Sequence, residues 1–164
     1  MTSSPASAPA SGTATGPFTL TSSAFADGAA IPREFSCDGA NVSPPLAWTG
    51  VPAGATALVL FVDDPDARGW VHWIVLDLPA AAGKLPKGVD PATATPQQGT
   101  NDFGKPGWGG PCPPSGTHHY RFALSALEKP LRLDGHPGGD AVRAAFSSAK
   151  VLGTVTLSGT YARS

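Results

Sequence analysis

The sequence predicts a mainly β fold, arranged as a sandwich or a barrel-like sheet, with one helix near the C-terminus. Several short segments have the composition and alternation of strands, and helical periodicity is confined to one late segment. Glycine and proline account for 20 and 18 of the 164 residues. Because both interrupt regular backbone, long loops and few helices are expected.

Two segments are predicted to be central strands. Residues 57–62 are apolar on both parities, as expected for a strand buried on both faces, and residues 71–78 are similar apart from two polar positions. Residues 79–117 hold many glycines and prolines and are predicted to form a long irregular connection. Further short strands are predicted at 18–20, 31–35, 46–48, 119–127 and 153–161.

The helix is predicted from residue 140 onward. Val142, Ala145, Phe146 and Ala149 follow the i, i+3, i+4, i+7 spacing of one apolar face, with Asp140 as a candidate N-cap. Many strands and one late helix favour a sheet packed on a sheet over repeated βαβ units.

Charge and hydropathy exclude two classes of partner. The net charge is −1 and no cluster of Lys or Arg occurs, whereas nucleic-acid backbones are bound through several clustered cations. The apolar stretch at 57–62 is far shorter than the roughly 20 residues of a membrane-spanning helix. The sequence therefore predicts no nucleic-acid partner and no transmembrane segment.

One domain is expected over residues 18–164, after a flexible tail at 1–17 rich in Ser, Thr, Ala, Pro and Gly. The tail lacks the positive charge and apolar stretch of a secretory signal, so a cytoplasmic protein is predicted. Cys37 and Cys112 form no Cys-x-x-Cys motif, and two free thiols are expected in a reducing compartment. The sequence leaves open whether the two meet in space. No metal and no cofactor is predicted.

Candidate site residues stand where strands meet loops. Asp64 follows the first buried strand, His72 opens the next, and His118 and Tyr120 follow a loop rich in glycine and proline. Alternation along a strand puts His118 and Tyr120 on one face and His119 on the other. Imidazole N–H groups, a phenol and a backbone N–H are donors that can surround an anion. Asp64 is suited to accept from a histidine N–H and fix its tautomer.

These residues lie in motifs that resemble the phosphatidylethanolamine-binding protein family, also called Raf kinase inhibitor-like proteins, in its bacterial subgroup. The resemblance covers residues 18–161. The matching motifs are Phe35-Ser36-Cys37-Asp38-Gly39, Ser43-Pro44-Pro45-Leu46-Ala47-Trp48, Val51-Pro52-Ala53-Gly54, Asp64-Pro65-Asp66-Ala67, His72-Trp73, Asn101-Asp102-Phe103-Gly104 and Gly110-Pro111-Cys112-Pro113-Pro114-Ser115-Gly116-Thr117-His118-His119-Tyr120.

The resemblance implies an antiparallel sandwich-like fold with a large central sheet, a smaller sheet and one or two short helices, one near the C-terminus. It also implies a cavity that binds a small anion, such as phosphate or a phospholipid head group, without catalysis. A kinase or a protease is the protein partner that the family's name suggests, and a homodimer is left open. The positions that match the family's pocket are Asp64, Pro65, His72, Gly110, Pro111, His118 and Tyr120, with Asp66 bracing the same turn.

Two positions depart from the family's pattern. His119 stands where the family usually has Arg, and Trp108 where Tyr is common, which puts the charge and shape of the ligand in question. Trp48, Trp70 and Trp73 are predicted to be core residues, because aromatic side chains bury large areas.

An enzyme is the alternative to a binding protein. Asp64, Asp66, His72 and His118 could hold a metal ion, since Asp and His are common zinc and iron ligands. Alternatively, Ser115 near His118 could act as a nucleophile. Neither a Gly-x-Ser-x-Gly motif nor a helical pair of histidines supports these hypotheses.

Overall fold

The structure, a computed structural model, describes residues 16–163, so the predicted tail at 1–17 lies almost wholly outside the described residues. None of the helices in this part of the chain is long and apolar enough to cross a membrane. The helix α1 spans Gly139–Ser147, and 3-10 turns occupy Arg33–Phe35 and Pro65–Ala67. The strands are β1 (Thr19–Thr21), β2 (Leu46–Thr49), β3 (Ala57–Asp64), β4 (Trp70–Pro79), β5 (Gly83–Leu85), β6 (Gln97–Gln98), β7 (Thr117–Leu127) and β8 (Val151–Ala162).

Two antiparallel sheets carry these strands. The smaller has the order β1-β2-β5 and the larger the order β6-β4-β3-β7-β8. Within the larger sheet, β3 pairs with β4 on one side and β7 on the other, and β7 pairs in turn with β8. The predicted fold, with a large sheet, a smaller sheet and a helix near the C-terminus, is confirmed.

The hydrophobic core lies on both faces of the larger sheet, as the doubly apolar pattern of 57–62 predicts. On one face a cluster fills the space toward the smaller sheet, and on the other a smaller cluster packs against α1. Side chains of β3 alternate between the two: Leu58, Leu60 and Val62 join the first cluster, and Val59 joins the second.

The same alternation separates the two acidic residues at the end of β3. Asp64 continues the row of Val62, and Asp63 continues the row of Phe61 on the side of α1. Each carboxylate therefore reaches a different surface of the sheet.

Two local predictions are wrong. Residues 31–35 do not form a strand, because Pro32 has no N–H for a ladder and its carbonyl accepts from Phe35 N–H, which starts the 3-10 turn. Asp140 is not the N-cap of α1: Gly138 holds that position, and Asp140 lies in the first turn, where a negative charge suits the helix dipole. The connection at 79–117 is also partly regular, since β5 and β6 add an edge strand to each sheet.

The two cysteines form a disulfide, which corrects the expectation of free thiols. Cys37 and Cys112 are joined across 75 residues of chain with a Cα–Cα distance of 5.4 Å. The bond ties the segment after the first 3-10 turn to the glycine- and proline-rich loop before β7. Two hydrogen bonds join the same segments, from Cys37 N–H to the Pro111 carbonyl and from Gly110 N–H to Asn41 Oδ1.

Candidate functional site

A cavity of about 220 Å³ opens where the end of β3 meets the starts of β4 and β7. These ends coincide because β3 runs antiparallel to both of its neighbours. Four of the predicted ligand-binding residues therefore share one cavity. It is lined by Asp64, Ala67, Trp70, His72, Phe103, Cys112, Pro113, Pro114, His118 and Tyr120.

Asp64 and His118 form a hydrogen-bonded pair in this cavity. The Oδ2 atom of Asp64 lies 2.6 Å from Nδ1 of His118, and the side chains are 4% and 16% exposed. Because a carboxylate accepts, Nδ1 carries the proton and Nε2 of His118 is left for the cavity. Asp64 thus fixes the tautomer of His118, which is the role that the sequence suggested for this carboxylate.

A β-bulge aims His72 into the cavity. In the pairing of β3 with β4, Val62 faces Trp73 and Asp63 faces Val71, so His72 is the extra residue of β4. Val71 packs toward α1 and Trp73 packs between the sheets, while His72 lines the cavity.

The ring of His72 is held in one tautomer as well. Its Nδ1 donates to the Gly109 carbonyl oxygen at 2.6 Å, which leaves Nε2 for the cavity. Burial lowers the pKa of His72, even though the Gly109 hydrogen bond and the charge of Asp64 act in the opposite direction. The ring is therefore neutral at pH 7, and its Nε2 is an acceptor.

Tyr120 supplies a donor without a partner. The residue is 1% exposed, and its hydroxyl is the one buried side-chain polar atom of residues 16–163 that makes no hydrogen bond. Its ring lies edge-on to His72, with centroids 5.1 Å apart, and nearly parallel to His118 at 6.5 Å. Burial, reinforced by the charge of Asp64, raises the pKa of Tyr120, so the hydroxyl keeps its proton.

Asp66 braces the turn that follows β3 and points away from the cavity. Its backbone N–H donates to Asp64 Oδ1 at 2.8 Å, and its Oδ2 accepts from both the backbone N–H and Nδ1 of His119. Hydrogen bonds from the side chain and backbone of His119 lower the pKa of Asp66. His119, the residue in place of the family's Arg, is exposed and does not line the cavity.

Three predicted residues lie beside the cavity and do not line it. Pro65 is exposed at the start of the 3-10 turn after β3. Gly110 and Pro111 are buried and make the bonds that fasten their loop to residues 37–41. A Cβ atom at Gly110 would collide with the Phe35 carbonyl oxygen and the Asn41 side chain, so close packing of backbone requires glycine there.

The mouth of the cavity is aromatic, which sequence reasoning missed. Trp70 is not a core residue: it is 39% exposed and meets Phe103, itself 45% exposed, edge-on at 5.5 Å. Buried Asn101 holds the turn that presents Phe103, because its side chain accepts from Phe103 N–H and donates to the Gly107 carbonyl. Phe103 also lies edge-on to His72, with ring centroids 5.6 Å apart. The motif containing Phe103 is visible in the sequence, but nothing in it indicates this contact.

The other tryptophans belong to the core. Trp48 and Trp73 are buried, as predicted. Trp108, in place of the family's Tyr, lies 5.5 Å from Trp73 and 5.9 Å from Phe122 between ring centroids, and its Nε1 donates to the Phe35 carbonyl. This departure therefore changes core packing and leaves the cavity lining alone.

Among the predicted residues, three polar groups are left for a ligand. They are the Tyr120 hydroxyl, which has no partner, Nε2 of His72, which is an acceptor, and Nε2 of His118. Within residues 16–163 no group of three or more His, Cys, Asp and Glu side chains is arranged to hold a metal ion. Ser115 is exposed and is not part of the cavity wall.

Comparison with known proteins gives consistent matches. A family model described as phosphatidylethanolamine-binding protein matches residues 21–162. The Mycobacterium tuberculosis protein named "Putative lipoprotein LppC" is 48% identical over 150 residues, which cover 88% of this chain and 72% of that protein. A UPF0098 protein of Methanothermobacter thermautotrophicus is 43% identical over 149 residues, covering 88% and 98%.

Two solved structures that resemble this chain are described as members or homologues of the same family. CT736 from Chlamydia trachomatis, described as a homologue of that family, superposes with a TM-score of 0.80 at 35% identity, covering 94% of this chain and all of its own. E. coli YbcL, described as a new member of the mammalian PEBP family, gives a TM-score of 0.80 at 32% identity, covering 90% and 99%. The span matched by the family model contains every residue that lines the cavity.

Proposed function

The chain belongs to the phosphatidylethanolamine-binding protein family, and we propose on that basis that its cavity binds a phosphate-type anion or a phosphorylated head group without catalysing a reaction. The observation that carries the proposal is the Tyr120 hydroxyl, which is buried in the cavity wall without a hydrogen-bond partner. A buried donor without a partner costs about 1–3 kcal/mol. An oxygen of the ligand would satisfy it.

Anion binding in this cavity is coupled to a proton. The neutral imidazole of His72 presents an acceptor at Nε2, and the Asp64 carboxylate lies in the same wall, so a fully ionised phosphate would face unfavourable groups there. Either the ligand brings a proton on one of its oxygens or the His72 imidazole takes one up at Nε2 and becomes a charged donor. The proposed ligand is therefore bound together with a proton.

Catalysis is not proposed, because the observations favour no nucleophile. The hydrolase alternative needs Ser115 beside His118, and Ser115 lies outside the cavity wall. A kinase or protease partner, which the family's name suggests, would meet the exposed aromatic pair of Trp70 and Phe103 at the mouth.

We also propose a compartment that is oxidising, in place of the cytoplasm predicted from the tail. Structural disulfides persist mainly in oxidising environments, and Cys37 is bonded to Cys112. A relative with 48% identity carries a lipoprotein name, which points in the same direction.

Tyr120→Phe tests the proposed role of the hydroxyl. We expect the affinity for phosphoethanolamine and for inorganic phosphate, measured by calorimetry, to fall by about 5- to 150-fold, the equivalent of about 1–3 kcal/mol. The melting temperature should stay level or rise, because the variant removes a buried hydroxyl that has no partner.

Tyr161→Phe is the matched control. Its hydroxyl is already satisfied by Ser36 and Asp38, so this variant should lose stability and keep its affinity for phosphate. Unchanged phosphate affinity in Tyr120→Phe would overturn the proposal.

The affinity for anions should rise as the pH falls. The pKa of His72 is lowered by burial, so its Nε2 becomes a charged donor only below its ordinary titration range, and that donor is lost as the pH rises. Sulfate is the cleaner probe, since its charge is constant between pH 5.5 and pH 8. We expect sulfate to bind at least about tenfold more tightly at pH 5.5, as a charged hydrogen bond is gained.

Calorimetry in two buffers of different ionisation enthalpy would report proton uptake on binding. His119→Ala is the control, because that ring faces Asp66, and its pH profile should match the wild type. Equal sulfate affinity at the two pH values would contradict the coupling.

A further inference from the structure

A second cavity lies on the opposite face of the larger sheet. Its floor is formed by β3, β7 and β8, its wall by α1, and its volume is about 280 Å³. Val59, Phe61 and Ala123 give the floor an apolar surface, and Val142 and Phe146 do the same for the wall. None of these residues takes part in the cavity around Asp64 and His72.

The charged groups of this second cavity are gathered around Asp63. Arg121 binds both carboxylate oxygens of Asp63, with Nε and Nη2 at 3.0 and 2.9 Å, so these two charges cancel. Arg143 remains as a positive charge: its Nη2 donates to the Gly69 carbonyl, which is neutral, and its guanidinium stacks over the Phe61 ring at 5.0 Å. The cavity therefore has one net positive charge.

The other polar side chains of the lining already have hydrogen-bond partners. The Ser125 and Thr154 hydroxyls bond to each other at 2.9 Å across β7 and β8. The body of a bound molecule would thus meet apolar surface and a satisfied hydroxyl pair. Its anionic end would meet the guanidinium of Arg143.

We infer that this second cavity binds a linear alkyl carboxylate, with its carboxylate at Arg143 and its chain over Ala123 between Phe61 and Phe146. A planar carboxylate matches the fork of guanidinium N–H donors. The volume equals about nine water molecules at a share of about 30 Å³ each, which suits one short chain and is too small for a lipid with two. A second copy of the chain fits less well, because a stable dimer takes about 800 Å² and roughly 20–30 residues from each partner. Ten residues line this recess.

Octanoate is the probe, titrated into the full chain by calorimetry and by NMR. We expect hexanoate, octanoate and then decanoate to bind more tightly in steps of about fourfold per buried methylene until the cavity is full. Octylamine, which reverses the charge, should bind at least tenfold more weakly than octanoate. Equal affinity for octanoate and octylamine would overturn the inference.

Two substitutions locate the site. Arg143→Gln removes the charge from an exposed helix position and should weaken octanoate at least fivefold. Ala123→Leu fills the floor and should abolish octanoate binding while inorganic phosphate still binds, which also shows that the variant is folded. Tyr120→Phe should leave octanoate affinity unchanged, so failure of the phosphate proposal and failure of this one give different results.

Sedimentation of the wild type and of Ala123→Leu tests the alternative that a second copy of the chain occupies the recess. A wild-type dimer that the substitution converts to a monomer would assign the recess to a second copy of the chain and overturn the inference. Full octanoate affinity in Arg143→Gln and Ala123→Leu together would do so as well.

Discussion

Replacing Cys37 and Cys112 together with serine is expected to lower the free energy of unfolding by about 2–4 kcal/mol. The disulfide closes a loop across 75 residues, and opening it restores conformational freedom to the unfolded chain. Urea unfolding of the oxidised protein, the reduced protein and the double variant would measure the effect. The reduced wild type should behave like the double variant.

The same variant should also bind phosphate less tightly. The expected loss of affinity is smaller than the loss expected when a polar residue of the cavity is replaced. Cys112 and the two prolines after it form part of the cavity wall. Hydrogen bonds from Cys37 N–H and Gly110 N–H still hold that loop when the disulfide is absent. Two free thiols in the unfolded, unreduced protein would contradict the disulfide and, with it, the proposed oxidising compartment.

Removing the imidazole of His118 is expected to weaken phosphate binding by about 5- to 150-fold, whereas removing that of His119 should have little effect. His118 lines the cavity beside Tyr120, and His119 forms an exposed pair with Asp66. This pair is exposed and screened by water, so it contributes little to stability, and His119→Ala should also fold normally. Calorimetry on both alanine variants gives the comparison directly.

His118→Ala also leaves the buried Asp64 carboxylate without one of its donors, so a second variant separates binding from folding. In His118→Asn, an amide N–H replaces Nδ1 as the donor to Asp64, and Nε2 is lost. This variant should keep its melting temperature and lose phosphate affinity. If His119→Ala proves the more damaging of the two alanine variants, the assignment of faces along β7 is wrong.

The strands that form the cavity were predictable because their apolar patterns are strong. The doubly apolar segment 57–62 becomes β3, and alternation along 119–127 places Tyr120, Phe122 and Leu124 in the core. The pairing of β7 with β8 is regular from Thr117 to Ala126, so alternation extends to His118 without interruption. Because the pairing is regular, alternation along the strand was enough to predict that His118 and Tyr120 share a face.

The orientation of His72 could not be predicted from alternation along the strand. Strict alternation would put His72 and Trp73 on opposite faces of β4, yet the bulge lets Trp73 enter the core while His72 lines the cavity. The sequence also predicted more hydrogen-bond donors for the ligand than the cavity offers. The Nδ1–H group of His72 donates to the Gly109 carbonyl, and the Gly110 N–H donates to the Asn41 side chain. Partners distant in sequence decide which donors remain for a ligand.

By itself, the sequence determined the mainly β class, the central strands, the late helix and the face shared by His118 and Tyr120, because each follows from local periodicity. The tertiary structure decided the Cys37–Cys112 disulfide, the aromatic mouth at Trp70 and Phe103, and the recess beside α1. These features join segments tens of residues apart, and their existence depends on how the sheets, the loops and the helix pack in space. Periodicity along the chain carries no information about such contacts.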